Sequence, residues 1–75
     1  MILPTKHIST KYSLIGLGTV LLKNLNSPRS VTGLWERVRK LPEVATFERY
    51  ILTLDLLYAM GAIELRDGLL KRSRP

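Results

Sequence analysis

The sequence predicts an α+β fold, a winged helix-turn-helix of three helices plus a C-terminal β-hairpin wing. Three observations carry that reading. Apolar residues recur at helical spacing in three stretches that begin beside Ser or Thr and end near Gly, Pro or Asn. Asp67-Gly68 separates two strand-like runs, Ala62–Arg66 and Leu69–Arg72. The short Ser30-Val31 segment before the second helix is strand-like and gives the order a winged helix requires.

Taken in order, residues 1–10 form an extended N-terminal arm, because Pro4 disfavours helix at Leu3. Ser9, Thr10 and Ser13 offer N-cap oxygens ahead of Leu14, Leu17, Leu21, Leu22 and Leu25, which predicts a first helix over residues 11–25. Gly16 and Gly18 inside it each cost about 1 kcal/mol relative to Ala, which implies close backbone packing or an irregular first half. Asn26-Ser27-Pro28-Arg29 is a turn cluster. Thr32 is expected to cap a second helix from Gly33 to Leu41, with Leu34, Trp35, Val38 and Leu41 as its apolar stripe and Pro42 as its end. Thr46 caps a third helix over residues 47–60, and Gly61 stands where a left-handed C′ residue belongs. Phe47, Tyr50, Ile51, Leu54, Leu57 and Tyr58 form its buried stripe, while Leu52, Leu56 and Met60 fall outside the centre. In the hairpin, Ile63 and Leu65 alternate with Glu64 and Arg66, and Asp-Gly suits a type I′ turn because both residue types tolerate positive φ. The winged-helix domain is thus expected over residues 11–72 and a basic tail over 73–75.

A chain of 75 residues holds one domain and buries only about 60% of the surface exposed on unfolding, so its core is small. It has no cysteine, and neither a disulfide framework nor a thiolate metal site can compensate. Its 45% hydrophobic content is enough for a globular domain. The run Leu14–Leu22 is interrupted by Gly16, Gly18 and Thr19 and is far short of the roughly 20 residues that span a bilayer. It reads as a buried helix in a cytoplasmic protein with no membrane contact.

The residues offer little to catalysis. His7 is the sole histidine, and no Asp, Glu or Cys stands at the helical spacing that would make a metal pair with it. The six acids are scattered over several elements, and Gly16-Leu17-Gly18 lacks the strand and third glycine of a dinucleotide site. The expectation is a non-enzyme without cofactor or metal.

Binding is better supported. Twelve Lys and Arg against six Asp and Glu give a net charge of +6, which favours acidic or polyanionic partners. Sequence reading by the third helix is disfavoured, because its polar positions are only Glu48, Arg49, Thr53 and Asp55 and two of these are acids. The cations lie instead at Arg37, Arg39 and Lys40 on the second helix and at Arg66, Lys71 and Arg72 on the wing. They are candidates for non-specific contacts to the backbone of double-stranded DNA, or to an acidic protein. The apolar surplus, Leu52, Leu56 and Met60 with the arm residues Ile2, Leu3 and Ile8, is the candidate protein-binding surface.

The opening Met1–Ile8, the Ser13–Gly16 start, Pro28–Val31 with Leu34-Trp35, and above all Leu54–Leu65 with Asp67–Leu70 resemble a small middle component, type 6, of bacterial ABC-three-component systems. The likeness spans nearly the whole chain. It implies two larger partners: an ABC ATPase related to structural-maintenance-of-chromosomes (SMC) and RecN proteins, and an effector of the same operon. It also implies a role in Lamassu-like anti-phage defence, in which the small subunit bridges or restrains the other two. No catalytic residue carries over. The alternative reading is a free-standing winged-helix transcription regulator that binds its own promoter.

Overall fold

The computed structural model describes residues 4–42, 44 and 46–73, with side chains placed from residue 14 onward. These residues form α1 (Pro4–Lys23), α2 (Val31–Val38), α3 (Phe47–Ala59) and an antiparallel hairpin of β1 (Ile63–Arg66) and β2 (Leu69–Arg72). Three helices followed by a two-stranded wing make the α+β, winged-helix-shaped arrangement that the sequence predicts.

The first helix begins earlier than expected. Residues 4–10, expected to be extended, belong to α1, which starts at Pro4. The restriction that proline imposes falls on the residue before it, whereas proline itself suits the first helical position, where its missing N–H has no partner to lose. Ile2 and Leu3 lie outside the described residues. At the other end α1 stops at Lys23, and Leu25 packs from the following turn, its N–H bonded to the Leu22 carbonyl at 3.1 Å. Leu17, Leu21 and Leu25 are buried, and Leu14 and Leu22 are half-buried.

The two glycines of α1 differ. A Cβ at Gly18 would sit 3.1 Å from Leu57 Cδ2 and 3.7 Å from Thr53 Cγ2, so hydrogen at this position sets how closely α1 lies on α3. A Cβ at Gly16 would meet nothing within 4 Å.

The second helix is capped by Ser30, not Thr32: Ser30 Oγ accepts from the Gly33 N–H at 2.9 Å. Helix α2 therefore begins two residues sooner than expected and ends at Val38, before the Leu41-Pro42 stop. Capping also displaces the expected Ser30-Val31 strand. The bridge to the wing is made by Arg29, whose N–H and carbonyl pair with the Leu70 carbonyl (3.0 Å) and N–H (2.6 Å).

The third helix and the hairpin follow the sequence reading closely. Thr46 Oγ1 accepts from the Arg49 N–H at 3.1 Å. At the C-terminus, the Gly61 N–H bonds to the Tyr58 carbonyl and the Ala62 N–H to the Leu57 carbonyl, with Gly61 at φ +76°. That pair of bonds is a Schellman motif, closed by the residue type that adopts positive φ without a Cβ penalty. Asp67 (φ 55°) and Gly68 (φ 78°) make the two-residue wing turn in the register Arg66↔Leu69.

The buried face of α3 is narrower than predicted. Tyr50, Thr53, Leu54 and Leu57 are buried, but Phe47 and Tyr58 are exposed and Ile51 is half-buried. Thr53 can be inside because its hydroxyl donates to the Arg49 carbonyl at 2.7 Å. Tyr50 is fully buried and its hydroxyl donates to the Val31 carbonyl at 2.6 Å, tying α3 to the start of α2. Trp35 stacks 5.1 Å from the Tyr50 ring and meets Phe47 edge-on at 5.0 Å. Val44, from the connection between α2 and α3, completes the core with Leu34, Val38, Ile63 and Leu70.

This packing makes two predictions. Gly16→Ala raises stability by about 0.5–1 kcal/mol, while Gly18→Val lowers it by forcing Leu57 aside, so thermal midpoints fall in the order Gly16→Ala, parent, Gly18→Val. Tyr50→Phe costs about 1 kcal/mol in urea denaturation, the usual net worth of one such bond. Burial pushes the Tyr50 hydroxyl up to about 12, partly offset by the backbone of Trp35, whereas an unfolded tyrosine titrates near 10. Burial thus disfavours the phenolate in the folded state. The parent's advantage over Tyr50→Phe is complete below pH 10 and is lost as pH rises from about 10 toward 12.

Candidate functional site

Among the described residues, no three His, Cys, Asp or Glu side chains cluster to hold a metal ion. No described helix is long and apolar enough to cross a membrane. What the fold does present is apolar surface on both flanks of α3 and a cation-lined cleft beside the wing.

The first flank contains the predicted protein-binding residues of α3. Leu52, Leu56 and Met60 recur every four residues and so run along one side of the helix. Leu52 is 47% and Met60 63% exposed, while Leu56 is half-buried. Met60 is the C-cap of α3 rather than part of the helix. Ile8 falls in α1 with its side chain outside the description, and Ile2 and Leu3 lie outside the described residues. Of the predicted patch, the structure thus brings the three α3 residues together.

The second flank is one that the sequence does not announce. Val31, Ile51, Leu54, Tyr58, Ile63, Leu65 and Leu70 line a groove of about 280 Å³ between α3 and the wing, with Asp55 its one charged lining residue among those described. Its rim is apolar: Tyr58 is 62% and Leu65 55% exposed. Helical periodicity places Tyr58 in the buried stripe, and strand alternation places Leu65 on the apolar face of the hairpin. Both are exposed at the groove instead, because the wing docks through the buried Ile63 and Leu70 and leaves Leu65 uncovered.

The six cations expected at DNA backbone have different surroundings. Arg39 Nε lies 3.4 Å from Glu36 Oε1, and Arg66 Nη2 lies 3.4 Å from Glu64 Oε1; these are exposed pairs that contribute little to stability. Lys40 is exposed beyond the end of α2. Arg37 turns to the end of α1, where its Nε donates to Asn24 Oδ1 at 3.1 Å. There it meets Arg29, whose Nε donates to the Asn24 carbonyl at 3.0 Å. The amide of Asn24 is itself anchored by Nδ2 donating to the Val20 carbonyl at 2.9 Å. In the sequence Arg29 reads only as a turn residue; its position after Pro28, in the segment that pairs with the wing, is the available signal. Lys71 and Arg72 line an open cleft of about 480 Å³ together with Leu25, Asn26, Ser27, Pro28 and Ser73.

The described residues thus form a winged-helix-shaped domain with two apolar flanks and a basic cleft. The chain belongs to the family described as ABC-three component (ABC-3C) system middle component 6, which matches residues 3–73. Membership points to a non-catalytic subunit of a defence system, acting beside the other components of that system. Comparison with curated proteins and with solved structures gives no match.

The exposed apolar residues contribute little to the isolated fold. Met60→Gln and Tyr58→Gln should each shift the unfolding free energy by no more than about 0.5 kcal/mol, against a loss of about 2–5 kcal/mol for Leu57→Ala in the core, as read by chemical denaturation.

Proposed function

We propose that this chain bridges an SMC/RecN-like ABC ATPase and the effector of the same operon in a cytoplasmic, Lamassu-like anti-phage complex. The supporting observation is that α3 carries apolar surface on both flanks, Leu52 with Met60 on one side and the Tyr58–Leu65 groove on the other. A bridge needs two faces that can be covered at once, and these faces share no residue. Soluble monomers rarely leave such contiguous apolar surface open, and covering it by a partner stabilises a small domain by mass action. Family membership supplies the setting, a system with further components.

A free-standing transcription regulator fits less well. The outward side of α3, which would enter the major groove, carries exposed Glu48 and Asp55 beside Leu52. Acids facing phosphates and an apolar side chain where base-reading donors are needed oppose sequence readout.

Co-expression with the neighbouring ATPase and effector tests the proposal. Leu52→Glu/Met60→Glu is expected to lose one of the two partners in copurification, and Tyr58→Glu/Leu65→Glu the other. Retention of both partners by both variants would overturn the assignment of these faces. A parent chain that copurifies with neither would overturn the bridging role itself.

A further inference from the structure

The apolar flanks leave unexplained why the chain is so basic, and the cleft between β2 and the α1–α2 connection offers an answer. We propose that this cleft holds the phosphate backbone of duplex nucleic acid without reading its sequence.

The cleft is a product of the wing's attachment. Backbone pairing of Arg29 with Leu70 lays the connection alongside β2, so that Asn26, Ser27 and Pro28 face Lys71, Arg72 and Ser73 across the opening. Among the described residues its lining contains two cations, two hydroxyls and a carboxamide, and no acid. Glu64 is the cross-strand partner of Lys71, but its carboxylate is engaged by Arg66 at 3.4 Å. At the α1 end of the same connection Asn24 collects Arg29 and Arg37 by their Nε atoms, which leaves the terminal nitrogens of both guanidinium groups as further donors. Cations are therefore gathered along the 24–29 connection and the strand beside it, while Arg39 sits with Glu36 elsewhere.

The kind of polyanion follows from what the cleft lacks. Among the described residues, no aromatic side chain lines it. Trp35, Phe47 and Tyr50 pack on one another, and Tyr58 lines the groove between α3 and the wing. Single-stranded nucleic acid is held by base stacking on aromatic platforms, so a duplex, whose bases stack on one another and whose phosphates face outward, fits better. An acidic protein partner would be expected to anchor on large apolar or aromatic residues at the centre of its interface. Here the described lining brings two cations, and its one large apolar residue, Leu25, is buried, so it offers positive charge without an apolar anchor, as nucleic-acid interfaces do.

Fluorescence anisotropy with a labelled random-sequence duplex, titrated over a range of salt, is the test. The full-length parent should bind with affinity that falls linearly on a log–log plot. Lys71→Gln/Arg72→Gln should reduce that slope by about 1.8, at roughly 0.9 for each phosphate no longer neutralised, whereas Arg39→Gln should leave it unchanged. Helical circular dichroism equal to the parent's establishes that the double variant is folded. Four outcomes would overturn the proposal: no binding at low salt, an equal slope in the double variant, tighter binding to the single strand, or displacement of duplex by polyglutamate at matched charge concentration. Copurification with the other components is read separately and should persist in Lys71→Gln/Arg72→Gln, so this proposal and the bridging role can fail independently.

Discussion

Arg29, Ser30 and Val31 each make a hydrogen-bonded contact on which a different part of the molecule depends. Arg29 pairs by backbone with Leu70 and holds the wing; Ser30 caps α2; the Val31 carbonyl receives the buried Tyr50 hydroxyl and holds α3. Where such a bond is shielded from water, removing one partner costs more than making the bond gains. The wing, the second helix and the third helix are therefore referenced to one another through three consecutive residues. Pro28, just before this junction, lines the basic cleft, and Val31, within it, lines the apolar groove, so the junction ties the two together.

Packing of α1 has the opposite character. It relies on contact area and on one missing methyl group. Leu17, Leu21 and Leu25 supply the buried stripe, and Gly18 lets the helix approach Leu57 and Thr53. With α1 on one side of α3 and α2 joined to it through Trp35 and Tyr50, the covered part of α3 is only the Tyr50, Thr53, Leu54, Leu57 face. Among the described residues there is no fourth helix to lay over the remainder. The two open flanks are thus a consequence of domain size combined with an α3 that is apolar beyond its buried face.

What can be read from the sequence is chemistry that acts over a few residues. The Thr46 cap, the Gly61 stop and the Asp67-Gly68 turn each demand a particular residue type at a particular backbone conformation, and each stands where it is expected. Sequence and structure part where two local rules compete. Ser30 and Thr32 both offer a capping oxygen, and the choice of Ser30 moves the strand-like pairing to Arg29. Pro4 marks a boundary, but as the first residue of a helix rather than as part of an extended arm. The groove is not legible because Tyr58 and Leu65 belong to different elements, and helical periodicity alone places Tyr58 inside. The cleft escapes for the same reason: Lys71 and Arg72 stand out as cations, but their neighbours at residues 26–28 are brought to them only by the wing's attachment.

A core of this size also bears on how long a copy of the chain survives. Ligand occupancy adds stability as RT ln(1 + [L]/Kd), about 2.7 kcal/mol when a partner is present at a hundredfold excess over its dissociation constant. That is a large share of the roughly 5–15 kcal/mol typical of whole domains. If partners cover the α3 flanks as proposed, copies left unassembled would open more often and offer themselves to proteases, while assembled copies would not. The apolar flanks would then act as a form of dosage control, with surplus subunits cleared and those that have found their place retained.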